Sequence, residues 1–110
     1  MKVVHCKRDQ YTHYIGRGSP MGNPFTHLPL ARTKALVQVD TVESSIGCFE
    51  DWVNGNPVWD GVILPELRVK CLAAIKALPP NAVLGCYCAP GPCHGDAIIR
   101  IWNRIHGVKE

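Results

Sequence analysis

The chain has 110 residues, of which 46% are hydrophobic, and a formal net charge of +3 at pH 7. This length suits one domain with a single core, and the composition is that of a folded globule rather than a disordered segment. Apolar runs are short, so no segment is expected to cross a membrane. The mild positive charge includes no basic stripe of the kind that duplex-binding surfaces carry, which argues against nucleic acid as a partner.

The six cysteines do not indicate a disulfide scaffold. Such scaffolds are usually shorter, secreted and loop-rich, whereas this chain shows helical periodicity. Residues 1–8 are also too polar for a signal peptide. We therefore expect reduced cysteines and a cytoplasmic location.

In chain order, the N-terminal half predicts two strands, a loop, a third short strand and a helix. Residues 2–7 and 11–15 are enriched in β-branched and aromatic side chains, which favours strands paired as a hairpin or as successive strands of one sheet. Residues 35–39 are the third candidate strand. A capping-box pattern over residues 40–43 predicts that a helix begins near Thr41.

The C-terminal half predicts a helix, a strand and a final helix. Pro65 suits the first turn of a helix, and apolar residues recur at helical spacing over residues 64–78. Residues 82–86 are typical of a short buried strand, and residues 97–102 begin the last helix. This order of elements indicates a small α/β sheet in two or three layers.

Residues 16–25, Gly-Arg-Gly-Ser-Pro-Met-Gly-Asn-Pro-Phe, are predicted to form a loop because they hold three glycines and two prolines. Glycines let backbone amides approach an anion closely, and arginine offers a planar, two-pronged donor for phosphate or carboxylate. A rigid connecting loop with an ordinary surface arginine explains this stretch, taken alone, equally well. The ligand-binding candidates in it are Arg17, Gly18, Ser19, Gly22, Asn23 and Phe25.

Residues 86–96, Cys-Tyr-Cys-Ala-Pro-Gly-Pro-Cys-His-Gly-Asp, lie between a predicted strand and a predicted helix, where α/β sheets bind ligands. Thiolate and imidazole are suitable ligands for tetrahedral zinc. Side chains alternate along a strand, so Cys86 and Cys88 are expected on one face. One interpretation is therefore a structural or catalytic zinc site whose candidate ligands are Cys86, Cys88, Cys93 and His94, with water or Asp96 as a further ligand.

Two other interpretations of this segment stay open. Cys93 precedes a helix N-terminus, which lowers the pKa of a thiol, so it is a candidate nucleophile, with the adjacent His94, or else His13 or Asp96, as its base. Alternatively, the cysteines are small packed residues, and the segment binds its ligand through backbone amides.

Together, the GRGSPMGNPF and CYCAPGPCHGD stretches resemble the two signatures of the domain-of-unknown-function family 4326, whose members are small phage and bacterial proteins. The resemblance covers nearly the whole chain, although Tyr87 stands where the family often has tryptophan. It implies a compact Rossmann-like domain with a shared site, but no established reaction. The predicted fold is thus one α/β domain over residues 1–110, a small Rossmann-like sheet flanked by three helices, in a bacterium or a phage-infected cell.

We expect the two loops to form a pocket for a small anionic, nucleotide-like ligand, which the protein binds and, in the enzymatic version, hydrolyses or transfers. Cys93 and Asp96 are the catalytic candidates. Tyr87, His94 and Gly95 are further ligand-binding candidates, with Tyr87 or Phe25 stacking on a base. The alternative is a non-catalytic phage accessory protein that sequesters a nucleotide signal or binds a host protein, with its cysteines around a structural zinc ion.

Overall fold

A computed structural model describes residues 1–108 of the chain. Within them, the chain forms five short strands and three α-helices. The strands are β1 (Lys2–His5), β2 (His13–Tyr14), β3 (Phe25–Thr26), β4 (Val37–Gln38) and β5 (Val83–Cys86). The helices are α1 (Val42–Val53), α2 (Pro65–Lys76) and α3 (His94–Ile105).

The larger sheet places β5 between β1 and β2, and all three strands run parallel. The amide of Cys6 donates to the carbonyl of Cys86 at 3.0 Å, and the amide of Ile15 donates to that of Gly85 at 2.9 Å. The first two predicted strands do share a sheet. They form no hairpin and are not neighbours, because the strand from the C-terminal half lies between them.

The connection over residues 6–12 returns the chain from the carboxyl end of β1 to the amino end of β2. Tyr11, in this connection, lies against Gly85 in the central strand. A Cβ atom added to Gly85 would come within 2.6 Å of the Tyr11 ring. Glycine at this position therefore allows the connection to pass close to the sheet.

The glycine-rich loop (residues 16–25) leads into β3, which pairs in parallel with β4 as a second, two-stranded sheet. The third predicted strand is confirmed, although it covers only Val37–Gln38 of the predicted residues 35–39. The sequence did not predict β3, because Phe25 was assigned to the glycine- and proline-rich loop and Thr26 to the polar connection after it.

The predicted starts of the first two helices are confirmed, whereas α3 begins at His94, three residues before the predicted start. The Thr41 side chain accepts a hydrogen bond from the backbone amide of Ser44 at 3.0 Å, which caps α1. Pro65 lies in the first turn of α2. The apolar face predicted for α2 is wrong at its beginning, because Leu64 and Leu67 are exposed.

Helix α3 contacts α1, α2 and β1 and contributes a large part of the core. Ile98 and Ile101 are completely buried, and the indole of Trp102 donates to the carbonyl of Leu78 at 2.9 Å. The core thus lies between the helices and the parallel sheet, leaving the carboxyl edge of the sheet to the two loops. None of the helices in residues 1–108 combines the length and apolar character that crossing a membrane demands.

Candidate functional site

The two loops meet at the carboxyl ends of β2 and β5 and enclose a cavity of about 250 Å³. Parallel strands end at a common edge, so the loop after Tyr14 and the segment after Cys86 begin side by side. The first turns of α1 complete the wall. The lining residues are Tyr14, Gly16, Arg17, Asn23, Thr26, His27, Leu28, Val42, Ser45, Ile46, Cys86, Tyr87, Cys88, Pro92, Cys93 and His94.

Two consecutive turns shape the glycine-rich loop. The amide of Ser19 donates to the carbonyl of Gly16 at 3.1 Å, and the amide of Gly22 donates to the carbonyl of Ser19 at 3.0 Å. Gly18 has a φ of 98°, a left-handed conformation that glycine adopts without strain. A Cβ atom on Gly22 would lie 2.9 Å from the Cα of Arg17, so the loop closes tightly on itself there.

Arg17 is held in place by its own loop. Its Nε donates to the carbonyl of Asn23 at 3.1 Å, and one terminal nitrogen donates to the carbonyl of Phe25 at 2.9 Å. Asn23 is buried, and its side chain accepts from the Phe25 amide and donates to the carbonyl of Ser45. The guanidinium group is thereby positioned beside the cavity before any ligand arrives.

The thiol cluster (Cys86, Cys88 and Cys93) brings three sulfur atoms within 4.8 Å of one another. Cys86 and Cys93 are buried with their sulfurs 2.7 Å apart, whereas Cys88 is exposed. All three are free cysteines. Sulfurs that share a tetrahedral zinc ion lie about 3.8 Å apart, so Cys86 and Cys93 would separate slightly on binding one.

The thiols of the cluster differ in protonation. Hydrogen bonds from Cys86 and Cys93, aided by the nearby positive charge of Arg17, lower the pKa of Cys88. Hydrogen bonding to Cys86 and Cys88, together with burial, raises the pKa of Cys93. The lowered pKa favours a thiolate at Cys88, and the raised pKa favours a protonated thiol at Cys93.

His94 is buried beside the cluster rather than within it. Its Nε2 lies 2.8 Å from the carbonyl of Ile15 and 3.0 Å from that of Met21, which identifies Nε2 as the protonated nitrogen. Its Nδ1 lies 3.8 Å from the sulfur of Cys93. Burial lowers the pKa of His94, so the ring is neutral at pH 7 and links α3 to the glycine-rich loop.

The predicted ligand-binding residues fall into separate groups. Arg17, Asn23, Tyr87 and His94 line the cavity together with the thiol cluster. Gly18, Ser19 and Gly22 line a groove of about 410 Å³ on another side of the loop. Arg17 and Asn23 line both spaces.

Phe25, Gly95 and Asp96 contribute nothing to the cavity wall. The stacking role predicted for Phe25 is wrong, because its ring is completely buried and packs edge-on against two tryptophans. Gly95 is buried against Val3. Asp96 is exposed in the first turn of α3 and does not cap it; Cys93 does, accepting from the amide of Gly95 at 3.3 Å.

Tyr87 lies at the mouth of the cavity and is 57% exposed, so its ring is available to a ligand. It meets the rings of Tyr14 and His5 edge-on, and the Lys7 ammonium lies 6.0 Å from its centre. These contacts orient the ring without covering it.

Several cavity residues carried no functional signal in the sequence. His27 and Thr26 follow the glycine-rich loop in a polar stretch without a motif, and Ser45 and Ile46 belong to α1. The apolar spacing of α1 had indicated a core helix only. The helix buries one face and offers its first turns to the cavity.

The comparison with protein families matches residues 2–104 to the family described as Domain of unknown function (DUF4326). The chain belongs to this family. The comparisons with curated proteins and with solved structures found no match. The resemblance carried by the two loops is thus confirmed over nearly the whole chain, and the activity of this DUF4326 domain has to be inferred from its own residues.

Proposed function

We propose that this domain binds a small anionic, nucleotide-like ligand in the cavity between the glycine-rich loop and the cysteine segment (residues 86–96). The observation that carries the proposal is the position of Arg17, which two backbone hydrogen bonds hold beside the cavity. No carboxylate lies among the described residues that line the cavity. A fixed guanidinium group favours an anion, and among the described lining residues the Cys88 sulfur, whose pKa is lowered, is the negative group that shares Arg17 with a ligand.

Tyr87 supports a ligand that contains a flat ring. The exposed tyrosine ring offers a stacking surface at the cavity mouth. The volume of about 250 Å³ lies just below the usual range for small-molecule sites, which suits one ring system with a few attached atoms. A Rossmann-like reading of the fold agrees with this proposal, since such sheets bind nucleotides beyond the carboxyl ends of their strands.

The experiment is a calorimetric titration of the purified, reduced protein with nucleoside mono-, di- and triphosphates. We expect one to bind, with affinity reduced about tenfold or more in Tyr87→Ala and largely retained in Tyr87→Phe. Tyr11→Ala is a matched control, because Tyr11 is a partly exposed tyrosine that does not line the cavity.

The Arg17→Ala variant tests whether the positive charge of Arg17 contributes to nucleotide binding. Because Arg17 also holds its loop, melting temperatures are measured in parallel, and Arg32→Ala removes an exposed arginine outside the cavity as a control. We expect weaker nucleotide binding only in the Arg17 variant. Absence of binding by every nucleotide, or equal affinity in wild type and Tyr87→Ala, would contradict the proposal.

Catalysis on this ligand stays part of the hypothesis. A hydrolase or transferase that uses Cys93 must first deprotonate a buried thiol whose pKa is raised. Cys88, exposed and lining the cavity, is the better-placed nucleophile. Turnover lost in Cys88→Ser with nucleotide binding retained would identify an enzyme; binding without turnover would favour a cytoplasmic phage accessory protein that sequesters a nucleotide signal or binds a host protein.

The thiol cluster supports a second candidate, a zinc site. Three sulfur ligands are close enough to hold one ion, and thiolates are among the ligands that zinc prefers. His94 could supply its Nδ1 as a fourth ligand while its Nε2 hydrogen bonds keep the ring oriented.

Metal analysis of protein purified without chelator tests the zinc site. We expect about one equivalent of zinc in wild type, lost in Cys88→Ser and retained in Cys48→Ser, which alters a half-buried cysteine outside the cluster. A wild-type protein free of zinc, or a Cys88→Ser protein that keeps zinc, would contradict the zinc site. The cysteines would then serve in ligand binding or in packing.

A further inference from the structure

We propose that the groove beside the cavity is a second subsite that binds the phosphate chain of the ligand. The groove has a volume of about 410 Å³ and is lined by Gly18, Ser19 and Gly22 of the glycine-rich loop. It shares Arg17 and Asn23 with the cavity. The inference rests on the proposed function in one respect: it assigns the groove to the same ligand.

The charges of the groove favour an anion. Lys34 and Lys70 line it from two different parts of the chain and join Arg17, while no carboxylate lies among its described lining residues. Both lysines are exposed and free to turn their ammonium groups toward a bound group. Three cations around one groove match the charge of a short phosphate chain better than that of a single carboxylate.

The backbone of the loop supports the same assignment. The left-handed conformation of Gly18 leaves open space where a side chain would stand, since an added Cβ atom would meet no atom within 4 Å. The amides of Ser19 and Gly22 are used in the two turns, but within residues 1–108 the Gly18 amide donates to no backbone carbonyl. Loop amides of this kind bind phosphate oxygens.

Arg17 connects the two spaces. Since it borders both, a ring in the cavity and phosphates in the groove could contact the same guanidinium group from two sides. The expected ligand class is therefore a nucleotide with more than one phosphate. A single-stranded nucleic acid is the competing source of phosphates, and a groove with three cations favours a short phosphate chain.

The test is a titration with inorganic triphosphate, followed by the backbone amide signals of isotope-labelled protein. We expect the Gly18 and Gly22 amides to shift. We expect affinity to fall about tenfold in Lys34→Ala/Lys70→Ala, because each surface cation contributes a modest amount. The matched control is Lys2→Ala/Lys76→Ala, which removes the same charge from exposed positions outside both spaces and should retain wild-type affinity.

Three results would contradict the proposal that the groove binds a phosphate chain. These are unchanged triphosphate affinity in Lys34→Ala/Lys70→Ala, an equal loss of affinity in the control pair, or tighter binding of a short single-stranded oligonucleotide at the same amides. Nucleotide binding that depends on Tyr87 but leaves the Gly18 amide signal unmoved would contradict the phosphate subsite and support the ligand site in the cavity. Triphosphate binding that requires both lysines, with nucleotide affinity unchanged in Tyr87→Ala, would support the phosphate subsite and contradict the proposed function of the cavity.

Discussion

The cysteines of the thiol cluster have different chemical roles although they share one location. Cys88 is exposed and its pKa is lowered, whereas Cys93 is buried and its pKa is raised. The sequence singled out Cys93, because a helix start lowers the pKa of a thiol. The structure gives that lowered pKa to Cys88 instead, because local hydrogen bonding outweighs the helix terminus.

This difference predicts the order of alkylation. In metal-free, reduced protein at pH 5, we expect iodoacetamide to modify Cys88 first, since a lowered pKa keeps it a thiolate where ordinary thiols are protonated. Peptide mass spectrometry measures the rate at each cysteine, and unfolded protein provides the reference. Modification of Cys93 ahead of Cys88 would reverse the assignment of the thiolate.

His94 predicts a dependence of stability on pH. Its pKa is lowered by burial, so between the folded value and the unfolded value of about 6.5 the unfolded chain binds the extra proton. The free energy of unfolding should therefore decrease as pH falls below about 6.5, by up to about 1.4 kcal/mol per pH unit. Urea denaturation from pH 7.5 to 5 measures this slope.

We expect the slope to be reduced in His94→Gln, which cannot titrate, and unchanged in His27→Gln, which alters an exposed histidine. Equal slopes in all three proteins would show that His94 is not buried in its neutral form.

At the scale of the element, α3 depends on close contact at its first turn. Gly95 faces the sheet, and an added Cβ atom would lie 2.7 Å from a methyl group of Val3 and 2.9 Å from one of Ile15. Gly95→Ala should therefore destabilise the fold by about 1–3 kcal/mol despite the better helix propensity of alanine.

Gly47 provides the matched comparison. It lies in α1, and an added Cβ atom would meet nothing within 4 Å. Gly47→Ala should stabilise the protein by about 0.5–1 kcal/mol. Midpoints of urea denaturation distinguish the two variants by sign; stabilisation by both would mean that α3 does not pack against Val3 as described.

The elements that the sequence predicted well are those with local signals. Thr41 and Pro65 mark helix starts through capping and a fixed φ, which depend on a few adjacent residues. The role of Phe25 could not be predicted in this way. Its burial is decided by two tryptophans distant in sequence, so its place beside a glycine-rich loop gave a misleading functional signal.

At the scale of the molecule, the contact between Tyr11 and Gly85 joins the N-terminal connection to the central strand. Gly85→Ala should destabilise the fold by about 1–3 kcal/mol, because the new methyl group would overlap the tyrosine ring. Tyr11→Ala should relieve the overlap, so the double variant should lose less stability than the two single changes added together. A double-mutant cycle in urea measures the difference, and simple additivity would contradict the contact.

The meeting of the two loops was predictable at this scale, because both loops were expected to follow strands of one sheet. The strand order was not predictable: the apolar residues 82–86 indicated a buried strand, but nothing in the sequence showed that this strand pairs with both β1 and β2. The separation of the loop residues into a cavity and a groove depends on the two consecutive turns at Gly16–Gly22, a three-dimensional path that composition does not encode.

The central position of β5 also constrains how the chain acquires its structure during synthesis. Thr12 pairs with Val83 across 71 positions, and β1 and β2 have their only described ladder partners in β5. As the polypeptide leaves the ribosome, β1 and β2 remain unpaired until residues 83–86 emerge and form β5. We therefore expect ribosome-bound chains that end before residue 83 to be protease-sensitive, and folding to be completed late, with both loops brought together only when the last helix is available.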